Sequence, residues 1–133
     1  MYILDTNVIS AVRRPDRAPQ VAAWLKSQPE DRLFLSVITL GEIERGIQRE
    51  RRRDVAFADD LRAWLDRTVT LFSDRILPFG AVDAVIWGRL SAEIGHNGAD
   101  LMIAATGLAY DATVVTGNVD DFRQTGVAVE NPF

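Results

Sequence analysis

Carboxylates stand in this chain where short apolar runs end or helical stretches begin. Asp5 follows Tyr2-Ile3-Leu4, and Glu42 lies just beyond Leu33-Phe34-Leu35. Asp100 opens the apolar stretch from Leu101 to Tyr110, and Asn118 and Asp121 come after Thr113-Val114-Val115. Carboxylates gathered in one place repel and raise one another's pKa unless something positive sits among them. Mg²⁺ or Mn²⁺ accepts such hard oxygen donors, keeps several waters, and needs only one or two direct carboxylates beside substrate phosphate oxygens. Ions of this kind activate water against a phosphodiester and neutralise the charge growing on the departing oxygen.

Each position also has a plain structural reading. Thr39-x-x-Glu42 has the spacing of a capping box. Asn97 and Asn118 precede Asp100 and Asp121 by the same three residues, and Asp5 suits a helix cap after a first strand. Caps are common, so only joint placement of these groups turns them into a site.

The elements that position them are legible from hydrophobic period. Tyr2-Ile3-Leu4, Leu33-Phe34-Leu35 and Thr113-Val114-Val115 read as buried strands, with Ile76-Leu77 and Val127-Ala128-Val129 as shorter ones. Helical stripes run through Ala18, Val21, Ala22 and Leu25; through Leu40, Ile43 and Ile47; through Phe57, Leu61, Trp64, Leu65 and Phe72; and through Val82, Val85, Ile86, Leu90 and Ile94. Leu101 to Tyr110 is apolar nearly all round, as in a helix buried between other elements. Arg49 to Asp54 and His96-Asn97-Gly98 read as turns. Strands alternating with helices predict a parallel sheet covered on both faces, with ligands at the carboxyl ends of the strands. No repeat or linker interrupts the chain, so residues 1–133 are expected to form a single α/β domain.

Composition narrows the chemistry. The chain has 133 residues, 19 acidic against 15 basic, one His and no Cys, for a net charge of −4. Disulfides, thiolate metal sites and cysteine nucleophiles are excluded, and one imidazole cannot build a His-rich zinc site. The acidic balance counts against nucleic-acid binding driven by overall charge. The longest apolar stretch is about half a membrane span, and no secretory leader is apparent, so a cytoplasmic location is expected.

Other features read more quietly. His96 suits a solvated turn residue. Trp24, Trp64 and Trp87 lie in apolar stripes and suit core packing, with an exposed partner patch as the other reading. Arg45, Arg49, Arg51, Arg52 and Arg53 are interleaved with Glu44, Glu50 and Asp54, which suits a solvated helix end, although the same arginines are able to fork onto RNA phosphates. Gly46 inside a helix costs about 1 kcal/mol relative to Ala, which a closely approaching neighbour would explain.

Taken together, the motifs resemble those of the PIN-domain ribonuclease toxins of VapBC-type toxin–antitoxin pairs. Met1 to Ser10, with Asp5-Thr6-Asn7 after the first strand, is similar to the opening of that family. Leu35 to Gly46 resembles its second motif, whose glutamate matches Glu42. Gly98 to Thr106 matches the third, with Asp100 as its aspartate, and Thr116 to Phe122 the fourth. Glu130 to Phe133 resembles the toxins' terminal strand. The resemblance implies a three-layer α/β/α fold around a twisted parallel sheet and a Mg²⁺- or Mn²⁺-dependent endoribonuclease. Asp5 and Asp100 would be the principal metal ligands, with Glu42 a further ligand or a residue that orients a bound water. Asn118 stands where the family often has Asp; it can ligate through its amide oxygen but brings no charge and cannot act as a base. Asp121 is a candidate to compensate, and Thr6 and Thr116 to orient ligands or substrate phosphate. The resemblance further implies an RNA substrate, a homodimer or toxin–antitoxin hetero-oligomer, a cognate antitoxin, and DNA contact only through that antitoxin. Two other readings compete: a PIN-fold binding module without turnover, which Asn118 favours, and a phosphotransfer domain, disfavoured by Asn7 where a second acid is needed and by Lys26 as the only lysine.

Overall fold

The computed structural model describes residues 1–133. Five strands form: β1 (Tyr2–Leu4), β2 (Leu33–Ser36), β3 (Ile76–Leu77), β4 (Thr113–Val115) and β5 (Ala128–Glu130). They lie in the order β3-β2-β1-β4-β5, and every pairing is parallel. β1 is central, with Tyr2 opposite Leu33 on one side and Thr113 on the other. Successive side chains of a strand point to opposite faces. Leu4, Leu35 and Val115 accordingly enter one core with Val8, Val21, Ile43, Ile47 and Leu65. Ile3, Leu77 and Val114 enter another with Leu90, Ile103, Ala104 and Phe122.

Helices α1 (Thr6–Val12), α2 (Pro19–Lys26), α3 (Val37–Arg51) and α4 (Val55–Leu71) cover the first face, and α5 (Ala81–Ile94), α6 (Ala99–Ala109) and α7 (Val119–Arg123) the second. The result is the three-layer α/β/α arrangement that alternating strands and helices predict. No helix is long and apolar enough to cross a membrane. From β1 the chain builds outward through β2 and β3, then returns to place β4 and β5 on the other side. The direction of winding therefore changes between β1 and β4, and the crevice at their carboxyl ends is where such sheets bind ligands.

α6 is held hard against the sheet. A Cβ at Gly107 would lie 2.7 Å from Val127 Cγ2 and 3.2 Å from Val114 Cγ2. Leu101, Ile103, Ala104, Ala105 and Thr106 are buried around it, which fixes the start of the helix, where Asp100 sits.

Several elements depart from the expectation of period. The inward stripe of α5 is rotated: Val82 and Val85 are 64% and 57% exposed, while Asp83 and Leu90 are buried and Ile86, Trp87 and Ile94 pack on the core. Asp83 can face inward because Thr106 Oγ1 donates to its Oδ2 at 2.6 Å. The last strand begins at Ala128, one residue later than its apolar run. Arg51 and Arg53 are committed to Asp59 and Glu50, so that end of α3 is a charge-laced helix terminus. Trp24 and Trp64 pack on the first core and Trp87 on the second. No neighbour approaches Gly46: a Cβ there would meet nothing within 4 Å.

Candidate active site

Asp5 is the first residue beyond β1. Its N–H still donates to Val115 O at 2.9 Å, continuing the sheet ladder. Its extended backbone then turns the chain into α1, and Oδ1 accepts from Thr6 N at 2.8 Å as the helix cap. The other oxygen, Oδ2, accepts from Thr116 Oγ1 at 2.8 Å and from Asn7 Nδ2 at 3.3 Å. Capping and participation in the site are therefore two uses of one carboxylate. Asn7 completes the bridge: Nδ2 also donates to Thr116 Oγ1 at 3.2 Å, and Oδ1 accepts from Gly117 N at 3.2 Å.

The expected capping box at Thr39 and Glu42 is absent. Ser36 is the N-cap of α3, its Oγ accepting from Ile38 N at 3.0 Å. The helix thus starts before Thr39, which is buried with its hydroxyl unpartnered. Glu42 falls in the second turn and accepts instead from Thr6 Oγ1 at 2.6 Å. Asp100 lies in the first turn of α6 behind Gly98, which has no capping side chain, so Asn97 makes no capping box either. A Cβ on Gly98 would come within 2.7 Å of Asp100 Oδ1; the glycine clears room for the carboxylate. Asn118 is the N-cap of α7 by position, but its side chain makes no cap bond. Its N–H donates to Thr116 Oγ1 at 2.9 Å.

These elements enclose an open cleft of about 600 Å³, lined by Asp5, Thr6, Asn7, Ser10, Glu42, His96, Ala99, Asp100, Asn118, Asp121 and Phe122. Thr116 is fully buried and supports Asp5 from below. All four acidic positions and the amide singled out by spacing are in the lining, and no Lys or Arg is. Burial raises the Asp5 carboxyl above its usual range, and the charges of Asp100 and Asp121 add to the rise; the Thr116 and Thr6 hydrogen bonds oppose it. Glu42 is also raised, first by burial and then by Asp5 and Asp100, against its Thr6 bond and the charge of Arg45. A concentration of carboxylates with no cation among them is the donor chemistry of a hard divalent ion. The groups do not converge as a tight preformed three-ligand cage.

Three polar lining residues are not among the candidate site residues. Asn7 belongs to the Asp5-Thr6-Asn7 run, but its bridging role depends on Gly117, far away in sequence. Ser10 is one helical turn beyond Thr6, an i,i+4 relation that marks a shared face. His96 is exposed, as its turn suggests, yet it borders the cleft while its Nδ1 accepts from Gly98 N at 3.2 Å.

The family model for the PIN domain matches residues 2–128. Ribonuclease VapC14 of Mycobacterium tuberculosis is 48% identical over 97 residues, which cover 72% of this chain and 90% of that protein. Toxin FitB of Neisseria gonorrhoeae is 34% identical across 100% of this chain and 99% of its own. A solved structure of FitAB bound to an IR36 DNA fragment contains a chain that superposes with a TM-score of 0.84 at 34% identity, covering 99% of this chain and 95% of its own. With the family's motifs in order along the chain and its fold around them, the protein belongs to the PIN-domain family, on its VapC-like branch.

Proposed function

We propose that residues 1–133 act as one nuclease domain, a Mg²⁺- or Mn²⁺-dependent endoribonuclease that is the toxic partner of a type II toxin–antitoxin pair. The observation that carries this is the cleft between β1 and β4, where Asp5, Glu42 and Asp100 stand together without a basic residue in the lining. PIN-domain ribonucleases generally depend on a divalent metal. Here Asp5 and Asp100 would hold the ion, with Glu42 beside them. Bound there, a divalent cation supplies activation of water and neutralisation of charge on the departing oxygen.

The chain's own residues do the rest. Thr116 and Asn7 fix one oxygen of Asp5, and the α1 amide of Thr6 fixes the other. The Thr6 hydroxyl orients Glu42 toward the same space. Ser10 presents a hydroxyl, and Asn118 a free amide, to an entering phosphate, while the Thr6 hydroxyl stays committed to Glu42. Asp121 adds negative charge at the rim, in the place Asn118 leaves neutral. The relatives named for toxin and for DNA-bound pairs support a cognate antitoxin as partner and contact with DNA through that antitoxin; assembly as a homodimer or toxin–antitoxin hetero-oligomer and a cytoplasmic location complete the proposal.

Cleavage of RNA by the purified protein is the test. Activity is expected with Mg²⁺ or Mn²⁺, to vanish with EDTA, and to fall at least about 100-fold in Asp100→Asn with the fold retained. The second reading, a binding module without turnover, draws on Asn118. It predicts no saturable Mn²⁺ binding in a calorimetric titration and no metal-dependent cleavage.

A further inference from the structure

Gly46 is left without a structural reason by the fold. It lies within α3, where glycine weakens a helix, and no neighbour would touch a Cβ there. What it does face is a groove of about 280 Å³ between α1, α3 and α4. This groove shares Thr6, Ser10 and Glu42 with the catalytic cleft, so the two are continuous. Phe57 and Trp64 stand in its wall. Arg13 lies over the Phe57 ring, with its guanidinium carbon 5.3 Å from the centroid. Unlike Arg51 and Arg53, Arg13 makes no ion pair within the chain, whereas the groove's Glu50 is already matched by Arg53.

A strand whose phosphodiester lies among Asp5, Glu42 and Asp100 must carry its neighbouring nucleotide out of the cleft. Aromatic walls accept the face of any base, and an unpaired guanidinium accepts the phosphate that follows. We propose that the groove between α1, α3 and α4 is the subsite for a nucleotide flanking the scissile phosphate, kept open by Gly46, with Trp64 against the base and Arg13, held over the Phe57 ring, on the backbone. This assignment rests on the ribonuclease reading of the adjoining cleft. It makes single-stranded RNA the preferred form, because a base within a duplex must first be unpaired and unstacked to enter.

Gly46→Ala and Gly46→Leu are the test variants, since both substitutions favour the helix and meet open space. Affinity for a short fluorescent single-stranded RNA is read by anisotropy in an Asp100→Asn background, and kcat/KM for the same strand with Asp100 intact. The expected result is a graded loss, about tenfold or more for Gly46→Leu in both measurements, with Tm at or above that of the parent. Gly88→Ala on α5, equally open but outside both cavities, leaves both unchanged. Arg13→Gln lowers the dependence of log Kd on log salt by about one unit.

Unaltered affinity and kcat/KM in Gly46→Leu overturn the subsite while leaving the nuclease reading intact. The subsite is equally overturned if Gly46→Leu weakens binding of the co-encoded partner protein and spares RNA, since the groove then takes a polypeptide. Gly46-dependent RNA binding with no cleavage under Mn²⁺ defeats the nuclease reading and with it the assignment beside a scissile phosphate. A parent protein that neither binds nor cleaves RNA defeats both.

Discussion

Thr116 donates its hydroxyl hydrogen to Asp5 Oδ2 over 2.8 Å, across the point where the sheet changes its direction of winding. The same oxygen of Thr116 accepts from Asn7 and from the N–H of Asn118, so one hydroxyl ties the ends of β1 and β4 to the start of α7. Thr116→Val keeps the shape and removes all three bonds. It is expected to cost about 1.5–3 kcal/mol, the range for hydrogen bonds to a charged group. Because the Thr116 bond holds the Asp5 pKa down against burial, its loss moves the acid limb of the pH–rate profile to higher pH. Thermal melts and a pH series of RNA cleavage check the two effects.

Without a cation, the cleft strains against its own charge. Asp5 and Glu42 both have folded-state pKa values raised above the usual carboxylate range. The native state therefore keeps protons that the unfolded chain releases, and stability declines as pH rises from the ordinary carboxylate range through the raised values. In EDTA the Tm is expected to fall over that window, and Mg²⁺ or Mn²⁺ to offset the fall at neutral pH. Glu42→Gln keeps an oxygen for the Thr6 hydroxyl and loses the charge, so it raises Tm in EDTA at neutral pH while lowering activity. A Tm of Glu42→Gln below the parent's under those conditions would mean that the Glu42 charge is not a source of the strain.

Asn118 offers a direct manipulation of the ion site. Asn118→Asp adds a further carboxylate to a lining that already holds four. The metal-free protein is expected to melt lower at neutral pH, by like-charge repulsion. Mn²⁺ titration is expected to show tighter binding, or a second site, with stability restored at saturation. Calorimetry with and without the substitution checks this directly.

A second buried carboxylate lies outside the cleft. Asp83 and Thr106 are 5% and 0% exposed, and their single bond joins α5 to α6. Thr106→Val leaves the carboxylate without that bond and is expected to destabilise by about 1–3 kcal/mol. Its activity per folded molecule is expected to stay near the parent's, since neither residue touches the cleft. Denaturant unfolding and active-site titration separate the two.

Much of this architecture is legible in hydrophobic period alone. The runs at Tyr2, Leu33 and Thr113 are apolar on both faces because helices cover both, and that signal survives without tertiary information. What is not legible depends on contacts distant in sequence. Thr39 and Glu42 have the spacing of a capping box, but Ser36 captures the helix start because its hydroxyl already lies at the strand's end. Val82 and Val85 look like core residues by period. They are displaced outward because Asp83 finds Thr106 on a neighbouring helix. Among the site residues, the acidic positions are marked by their places after strands and at helix starts. Asn7 and His96 are not, since their relation to the cleft comes from Gly117 and from the fold of the α5–α6 turn.

The central place of β1 has a consequence for synthesis. Asp5 is made well before the partners that fix it, Thr116 and the neighbouring strand β4, which come more than a hundred positions later. Asp100 and the cleft wall formed by α7 also belong to the last third of the chain. A growing or prematurely released chain that lacks β4 therefore carries the first acidic residue without the frame that aims it. This order of assembly withholds the cutting edge until α6, β4 and α7 have been made and packed beside β1.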